Sequence, residues 1–342
     1  MRIAVWGGGS IGLLWAGRLA ERFPETILLT RTREQRDQIR ANGLRVTKRN
    51  GRESLHSVYV EWSGDHGLPV FDVIFLAVKQ TDVAKIASEL PRVCHSSTDI
   101  WLWQNGMGQE KQLRGYFPQE HLYHAVTTEG AMRRGLSHVE HTGEGESRIG
   151  QISEGNVSPI TEKTLSILSS SELSIAYDLD IKRVLWEKLA INSVINPLTS
   201  LWNLSNGDLL DQDGFKPWME GILDEVVQVA AFEGTALEPR TLVNKILAVC
   251  KKTAANQSSM LQDLKRGKKT EIDFINGAVV AKGKQHGIST PVNAKLTQLV
   301  YRAEETGIPV SGIQGFHHLL TGLKVGGDTG CLTKEDGRWT PM

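Results

Sequence analysis

The chain begins Met1-Arg2-Ile3-Ala4-Val5-Trp6-Gly7-Gly8-Gly9-Ser10-Ile11-Gly12. Arg2–Trp6 reads as a strand, and Ile11–Arg22 reads as a helix with Leu13, Leu14, Ala16, Gly17, Leu19 and Ala20 on its packing sides. Between them stands a GxGxxG pattern. In a chain with 34 glycines the pattern alone says little, but directly after a strand and at the start of a helix it has a mechanism. Gly7 permits a tight turn, Gly9 lets backbone approach a diphosphate, and Gly12 lets helix and strand pack closely. The diphosphate would rest on the helix N-terminus, where free N–H groups and the helix dipole favour anions. The competing reading is a plain strand–helix turn.

Outward from that stretch, short apolar runs alternate with helical ones, the pattern of βαβ units around a parallel sheet. Thr26–Thr30 reads as the second strand and Phe71–Val78 as a strand apolar enough for burial on both faces. Asp82–Leu90 reads as a helix stopped by Pro91, and Ile100–Trp103 as a strand ending at Gln104-Asn105-Gly106. Residues 121–152 read as more polar, antiparallel strands. After about Asp178 the strand signals fade, and Ile181–Ile195, Trp218–Glu233, Thr241–Asn256 and Thr270–Gly287 have helical length and spacing. The expected architecture is α/β: a Rossmann-like dinucleotide-binding domain over residues 1–178, then a mostly α-helical domain over 179–305. A glycine-rich C-terminal extension, 306–342, follows with little periodicity.

Composition removes several function classes. Lys plus Arg and Asp plus Glu both number 39, so the net charge is zero, whereas nucleic-acid binders carry a basic excess. Cys94, Cys250 and Cys331 are odd in number and far apart, giving neither a disulfide framework nor a zinc pattern. His317-His318 is the one histidine pair, and there is no HExxH. The first residues lack the apolar stretch of a secretory signal, and no apolar run approaches the roughly 20 residues of a membrane span. The expectation is a cytoplasmic protein with a small-molecule substrate and neither a nucleic-acid nor a membrane partner.

The end of the second strand bears on the nucleotide. An NAD site places Asp or Glu there for the ribose 2′-hydroxyl; this chain has Thr30-Arg31-Thr32-Arg33. A guanidinium at Arg31 favours a 2′-phosphate, hence NADPH; the other reading is two solvated surface arginines. Lys79 and Asn105 follow predicted strands, at the carboxyl ends where open α/β sheets bind ligands.

The most informative helix holds Val184-Leu-Trp-Glu-Lys188-Leu-Ala-Ile-Asn192-Ser-Val-Ile-Asn196-Pro197. Lys188, Asn192 and Asn196 recur at i, i+4, i+8 on one face of an otherwise apolar helix. Polar groups on a buried helix need partners or a polar cleft, and a desolvated cleft lysine is a proton donor. The alternative is a lysine that snorkels to solvent. A second cluster, Asn256 with Ser259, reads as i, i+3 on a helix, able to hold a carboxylate or hydroxyl or simply to cap helix ends. Glu271 reads as opening a helix whose buried side is Ile272, Ile275 and Val279.

With the glycine loop, Gln104-Asn105-Gly106-Met107-Gly108, Trp186–Thr199, Ser258–Asp263 and Thr270–Gly277 in view, residues 1–300 resemble the ketopantoate reductase (2-dehydropantoate 2-reductase) family. Several separate motifs stand in the family's order at compatible distances. The resemblance implies NADPH-dependent reduction of ketopantoate to pantoate for pantothenate and coenzyme A synthesis, in an active site between two domains. It implies Lys188 as the general acid that protonates the developing alkoxide, and Glu271 as the residue orienting substrate and cofactor. Asn105, Asn192, Asn196, Asn206 and Ser259 match substrate positions, and Asn256 joins them. Gly7, Gly8, Gly9, Ser10, Ile11, Gly12, Arg31, Lys79, Asn105, Ala131 and Glu271 match cofactor contacts. Asp82 departs from the pattern, standing where many members have Gln, and the extension from about Thr306 runs past the usual family end. The resemblance is compatible with a monomer or homodimer. Two other readings are a paralogue acting on another 2-oxo acid and a non-catalytic NADP(H) sensor. The sensor predicts a decayed catalytic set, yet Lys188 and Glu271 are both present.

Overall fold

Successive residues of the apolar strands point to opposite faces of a sheet that is covered on both sides. In β1 (Ile3–Trp6) Ile3 and Val5 enter one core while Ala4 and Trp6 enter the other. The computed structural model describes residues 1–153, 155–169, 175–306, 332–335 and 338–341. They fall into two units, Met1–Lys182 and Arg183–Met342.

In the first unit β1 is followed by α1 (Ser10–Arg22), β2 (Ile27–Thr30), α2 (Arg33–Asn42), β3 (Leu44–Thr47), β4 (Glu53–His56) and β5 (Tyr59–Trp62). Then come β6 (Phe71–Leu76), α3 (Gln80–Ala87), β7 (Cys94–Leu102), α4 (Gln109–Leu113) and β8 (Leu122–Thr127). β9 (Gly130–Arg133), β10 (His138–Gly143), β11 (Ser147–Gly150), α5 (Pro159–Ser169) and β12 (Ile175–Tyr177) complete it. The main sheet has the order β12-β11-β8-β7-β6-β1-β2-β5. Its central pairs, β7–β6, β6–β1 and β1–β2, are all parallel.

The alternation seen in β1 continues across the sheet. Val73, Phe75 and Trp101 join the core with Leu13, Trp15 and Leu19 of α1, while Ile74, Leu76, Ile100 and Leu102 join the core with Val83, Ala87 and Leu90. This two-sided burial explains the continuous apolar reading of Phe71–Val78. A smaller sheet, β4-β3-β10-β9, covers the far side of α1. A Cβ at Gly17 would stand 3.1 Å from the Val46 side chain, so this glycine lets helix and small sheet approach.

Some boundaries differ from the sequence expectation. The 121–152 region is only partly antiparallel: β8 pairs antiparallel with β11 but parallel with β7, and β10 pairs parallel with β3 from nearly a hundred residues earlier. Pro91 does not end a helix. It sits inside a separate 3-10 turn, Leu90–Val93, where its missing N–H costs nothing in the first turn.

The second unit is helical: α6 (Ile181–Trp202), α7 (Phe215–Phe232), α8 (Pro239–Lys252), α9 (Ser259–Lys265), α10 (Asn276–His286) and α11 (Pro291–Thr306). α6 runs seven residues past the expected Ile195, straight through Pro197. The expected single helix over Thr270–Gly287 is divided. A 3-10 turn, Ile272–Phe274, precedes α10, and the break falls at Ile275 with φ −108° and ψ −94°. Ile272, Ile275 and Val279 are all buried as expected. The expected extension from 306 begins on the last residue of α11, and within it β13 (Leu332–Glu335) and β14 (Arg338–Pro341) form an antiparallel pair; the rest of it lies outside the described residues. No helix is long and apolar enough to cross a membrane among the described residues.

Candidate active site

The carboxyl ends of β7, β6, β1 and β2 lie side by side, because these four strands are adjacent and parallel. Residues expected to touch a nucleotide follow those ends in order: Asn105 after β7, Lys79 after β6, the glycine loop after β1 and Arg31 after β2. One edge of the sheet therefore gathers them.

The glycines of the loop divide by what they are for. Gly7 has φ +126°, and its N–H donates to the Leu29 carbonyl at 3.0 Å. A Cβ there would stand 2.7 Å from the Ala77 carbonyl oxygen, and one at Gly12 would overlap the Gly7 carbonyl oxygen. The fold itself demands both. At Gly8 a Cβ would meet the end of the Gln35 side chain, whose Nε2 donates to the Gly8 carbonyl at 2.9 Å. Gly9 has no such internal reason: φ is −80°, and the nearest atom to a Cβ would be the Ala77 carbonyl oxygen at 4.0 Å. Gly9 is also the N-cap of α1 and brings no side chain of its own to cap the helix amides. An open glycine at an uncapped helix start fits an anion held by backbone N–H groups, so these residues suit a dinucleotide. Ser10 Oγ accepts from the Arg133 N–H at 3.1 Å, and Ile11 packs on the core beneath.

Local capping sets the direction of Arg31. Thr30 Oγ1 donates to the Thr32 carbonyl at 2.9 Å, and Thr32 Oγ1 caps α2 by accepting from the Gln35 N–H at 3.3 Å. Arg31 between them turns outward, its side chain 81% exposed. Its guanidinium lies 3.7 Å from the Asp82 carboxylate in the first turn of α3. Arg33 is exposed as well, and its guanidinium lies 4.3 Å from the centre of the Trp62 ring. Lys79 is the N-cap of α3 and Asn105 precedes Gly106 and Gly108, both with positive φ; the two side chains are partly buried. Ala131 lies on β9, and that strand reaches the loop through Arg133, whose Nη1 also donates to the Gly8 carbonyl at 3.2 Å. Arg133 and Gln35, which shape the loop, carried no motif in the sequence; only the folding of β9 and α2 brings them there.

In the second unit α6 buries Leu185, Trp186, Leu189, Ala190, Val194 and Leu198 almost completely. Lys188 and Asn192 are only partly buried, so the expected polar stripe is the accessible face of this helix, closing at the buried Asn196. Burial pushes the Lys188 ammonium down to about 8, against the neighbouring Glu271 carboxylate, which draws it back up. Glu271 is held by the turn rather than by a helix, the Phe274 N–H donating to its carbonyl at 3.0 Å.

Asn256 and Ser259 do not share a helical face. α8 stops at Lys252, Asn256 lies in the following loop, and Ser259 begins α9. The reason is Ser258, whose hydroxyl caps α9 by accepting from the Leu261 N–H at 3.2 Å, a competing local bond that breaks a helix. Ser258 also accepts from Thr199 Oγ1 of α6 at 2.7 Å, and Thr199 stands three residues after Asn196 on that helix, with its Oγ1 3.0 Å from the Asn196 carbonyl. Asn196 and the start of α9 are thus neighbours. The Asn256 carbonyl accepts from the Asn206 N–H at 2.9 Å, and Asn206 Nδ2 donates to Thr253 Oγ1 at 2.9 Å. Asn206 Oδ1 is buried with no hydrogen-bond partner among the described residues. A buried acceptor in that state suits a donor from elsewhere, such as a hydroxyl. Among the described residues no cluster of His, Cys, Asp and Glu is arranged to hold a metal ion.

Comparison with known proteins follows the same division of the chain. Residues 3–154 match the family model described as Ketopantoate reductase PanE/ApbA, and residues 180–304 match the model for that family's C-terminal part. A 2-dehydropantoate 2-reductase of Halobacterium salinarum is 32% identical over 309 residues, covering 90% of this chain and 100% of the relative. That of Archaeoglobus fulgidus is 32% identical over 307 residues, covering 90% and 99%. Among solved structures, D-mandelate dehydrogenase with NADH and anilino(oxo)acetate matches with a TM-score of 0.85 at 25% identity, over 90% of this chain and 99% of that one. A PanE/ApbA family ketopantoate reductase from Ralstonia eutropha JMP134 matches with a TM-score of 0.81 at 28% identity and the same coverage.

Proposed function

The chain belongs to the ketopantoate reductase family, and from that premise we propose that it reduces ketopantoate to pantoate with NADPH, Lys188 acting as general acid. The observation that carries this reading is the α6 face, where a lysine lowered to about 8 lies one turn from Asn192 and beside Glu271.

A bound NADPH supplies the hydride that the C2 carbonyl of a 2-oxo acid takes up. Negative charge then builds on the carbonyl oxygen, and the Nζ proton of Lys188 goes to it, leaving the alcohol and a neutral amine. An acid with pKa near the working pH is well matched to that transfer. Glu271 keeps the ammonium charged until it is needed, and its carboxylate favours the recovery of the proton from solvent. Asn192 and Asn196 present amides along the same face for the carbonyl and carboxylate of the substrate, with Asn105 assigned to the same ligands. The glycine loop, Lys79 and Ala131 are assigned to the dinucleotide. The exposed guanidinium of Arg31 supports a 2′-phosphate there, a bidentate partner that a ribose hydroxyl does not offer. Pantoate would feed pantothenate and coenzyme A synthesis.

A second reading, reduction of a different 2-oxo acid, draws on the likeness to D-mandelate dehydrogenase. The unpartnered Asn206 Oδ1, on a residue bonded through its N–H to the Asn256 carbonyl, favours ketopantoate, because this substrate carries a hydroxyl far from its carbonyl. The test is NADPH oxidation with ketopantoate, pyruvate, 2-oxoisovalerate and benzoylformate side by side. Ketopantoate is expected to give the highest kcat/KM. No turnover with ketopantoate overturns the proposal, and a preference for benzoylformate establishes the second reading.

A further inference from the structure

Pro197 lies inside α6, and a proline has no N–H for the carbonyl four residues back. That carbonyl belongs to Ser193, between Asn192 and Asn196 and five residues beyond Lys188. It is not left bare: Asn276 Nδ2 donates to it at 3.0 Å. The first residue of α10 therefore replaces the donor that α6 lacks.

Asn276 is fully buried, and its placement is set by further side chains. Nδ2 also donates to Asn293 Oδ1 at 2.9 Å, and Asn293 Nδ2 donates to Glu225 Oε2 at 2.7 Å. Glu225 on α7 accepts the Val292 and Asn293 N–H groups at the start of α11, at 2.7 and 2.9 Å. Four helices thus converge on one buried polar line that ends at the Ser193 carbonyl. Asn276 Oδ1 has no partner among the described residues. Asn276 lies five residues after Glu271, across the single 3-10 turn of Ile272–Phe274, so the same side chain ties the segment carrying Glu271 to the helix carrying Lys188.

We propose that Asn276 is a positioning residue for the reduction: it clamps the Ser193 carbonyl that Pro197 frees, and so fixes Lys188 and Asn192 relative to Glu271. An unbroken α6 would satisfy Ser193 without help. Proline and asparagine together convert a self-sufficient helix into one whose geometry is set by the Glu271 segment. This inference rests on the reading of Lys188 as general acid. Displacements of well under a helical turn are enough to slow such a transfer.

A double-mutant cycle tests it, because P197A returns a backbone N–H to the Ser193 carbonyl. Wild type, N276A, P197A and P197A/N276A are compared by kcat for ketopantoate, KM for NADPH, and NMR titration of the Lys188 ammonium in lysine-labelled protein. N276A is expected to lower kcat about tenfold, with KM for NADPH within about twofold, and to shift the Lys188 midpoint away from its wild-type value, because both its desolvation and its distance to Glu271 change. Adding P197A to N276A is expected to recover most of both changes, judged against P197A alone. An unchanged kcat and midpoint in N276A, or losses that simply multiply in the double variant, overturn the proposal. N276L keeps the side-chain volume without the donors and is read in the same way where N276A does not fold. If the wild type does not turn over ketopantoate, the functional reading fails by itself, while the Lys188 midpoints across the four chains still decide whether the clamp exists.

Discussion

The Arg31 guanidinium and the Asp82 carboxylate stand 3.7 Å apart, joining the end of β2 to the first turn of α3. The pair is exposed, and exposed pairs contribute only about 0–1 kcal/mol. Its interest is therefore in recognition. Arg31 is the cation assigned to the 2′-phosphate, and Asp82 both occupies that cation and repels a phosphate brought to it.

Two substitutions at this pair are expected to act in opposite directions. Arg31→Ala removes a charge-assisted contact of about 1.5–3 kcal/mol, so the NADPH-over-NADH ratio of kcat/KM should fall roughly 10- to 100-fold. Asp82→Asn leaves the shape and removes the competing charge, so that ratio should rise a few-fold, less at high salt. Steady-state kinetics with both nucleotides at low and high ionic strength measure this. An unchanged ratio in Arg31→Ala would remove Arg31 from the nucleotide site.

The glycine loop separates fold from function. Gly12→Ala places a methyl on the Gly7 carbonyl, and overpacking of this kind costs about 1–3 kcal/mol, so a lowered Tm is expected with or without cofactor. Gly9→Ala has room for its methyl within the protein and changes an N-cap little. Its Tm without cofactor should match the wild type, while the Kd for NADPH rises at least about tenfold. Thermal melts and fluorescence titration distinguish the two. A destabilised Gly9→Ala with normal NADPH binding would mean that Gly9, like Gly12, serves the fold.

What the sequence revealed, and what it hid, follows from the range of the interactions. The β1–loop–α1 unit is legible because the turn, the open position at Gly9 and the helix packing are all encoded within Arg2–Arg22. The stripe of Lys188, Asn192 and Asn196 is legible because helical spacing alone puts the three on one face. The small sheet is not, because β3 pairs with β10 across about ninety intervening residues with no local signal for the partnership. Arg133 and Gln35 at the loop share that long-range origin. The Asn256–Ser259 helix fails for the opposite reason: a local bond from the Ser258 hydroxyl competes with helix continuation. Helix α6 passes through Pro197 because the donor missing at the Ser193 carbonyl is supplied from α10, 83 residues away in sequence.

Glu225 gives the second unit a stability that depends on pH. Burial pushes its carboxyl up to about 7, although the Asn293 and Val292 N–H groups and the Asn293 amide hold it lower than burial alone would. The folded state then binds the proton more tightly than the unfolded state, where a glutamate titrates near 4.5. Stability from this group is present below about pH 4.5 and is lost as pH rises through 7. Glu225→Gln cannot titrate, so its stability relative to wild type should improve between pH 5 and pH 8. Denaturant unfolding of both proteins across that range measures the difference, and a gap that stays constant with pH would show that Glu225 is ionised throughout.

Lys188 sets the last expectation, in which rate and stability pull apart. Its ammonium is lowered to about 8, first by burial and with Glu271 opposing. A general acid must be protonated, so kcat/KM for reduction should be level below about pH 7 and should fall with rising pH through about 8. The linkage has the opposite sign: the unfolded chain holds this proton up to its ordinary 10.5, so the buried ammonium costs stability below 8, and that cost fades between 8 and 10.5. Lys188→Met keeps the length and removes the charge. It is expected to lower kcat about 10²–10⁴-fold while raising Tm at pH 7, a gain that disappears toward pH 10. Rate–pH profiles with calorimetry at pH 7 and pH 10 give both readings. A variant that loses stability at pH 7 would mean that the ammonium is held by favourable contacts rather than strained by burial, and a near-normal rate would return Lys188 to a structural role.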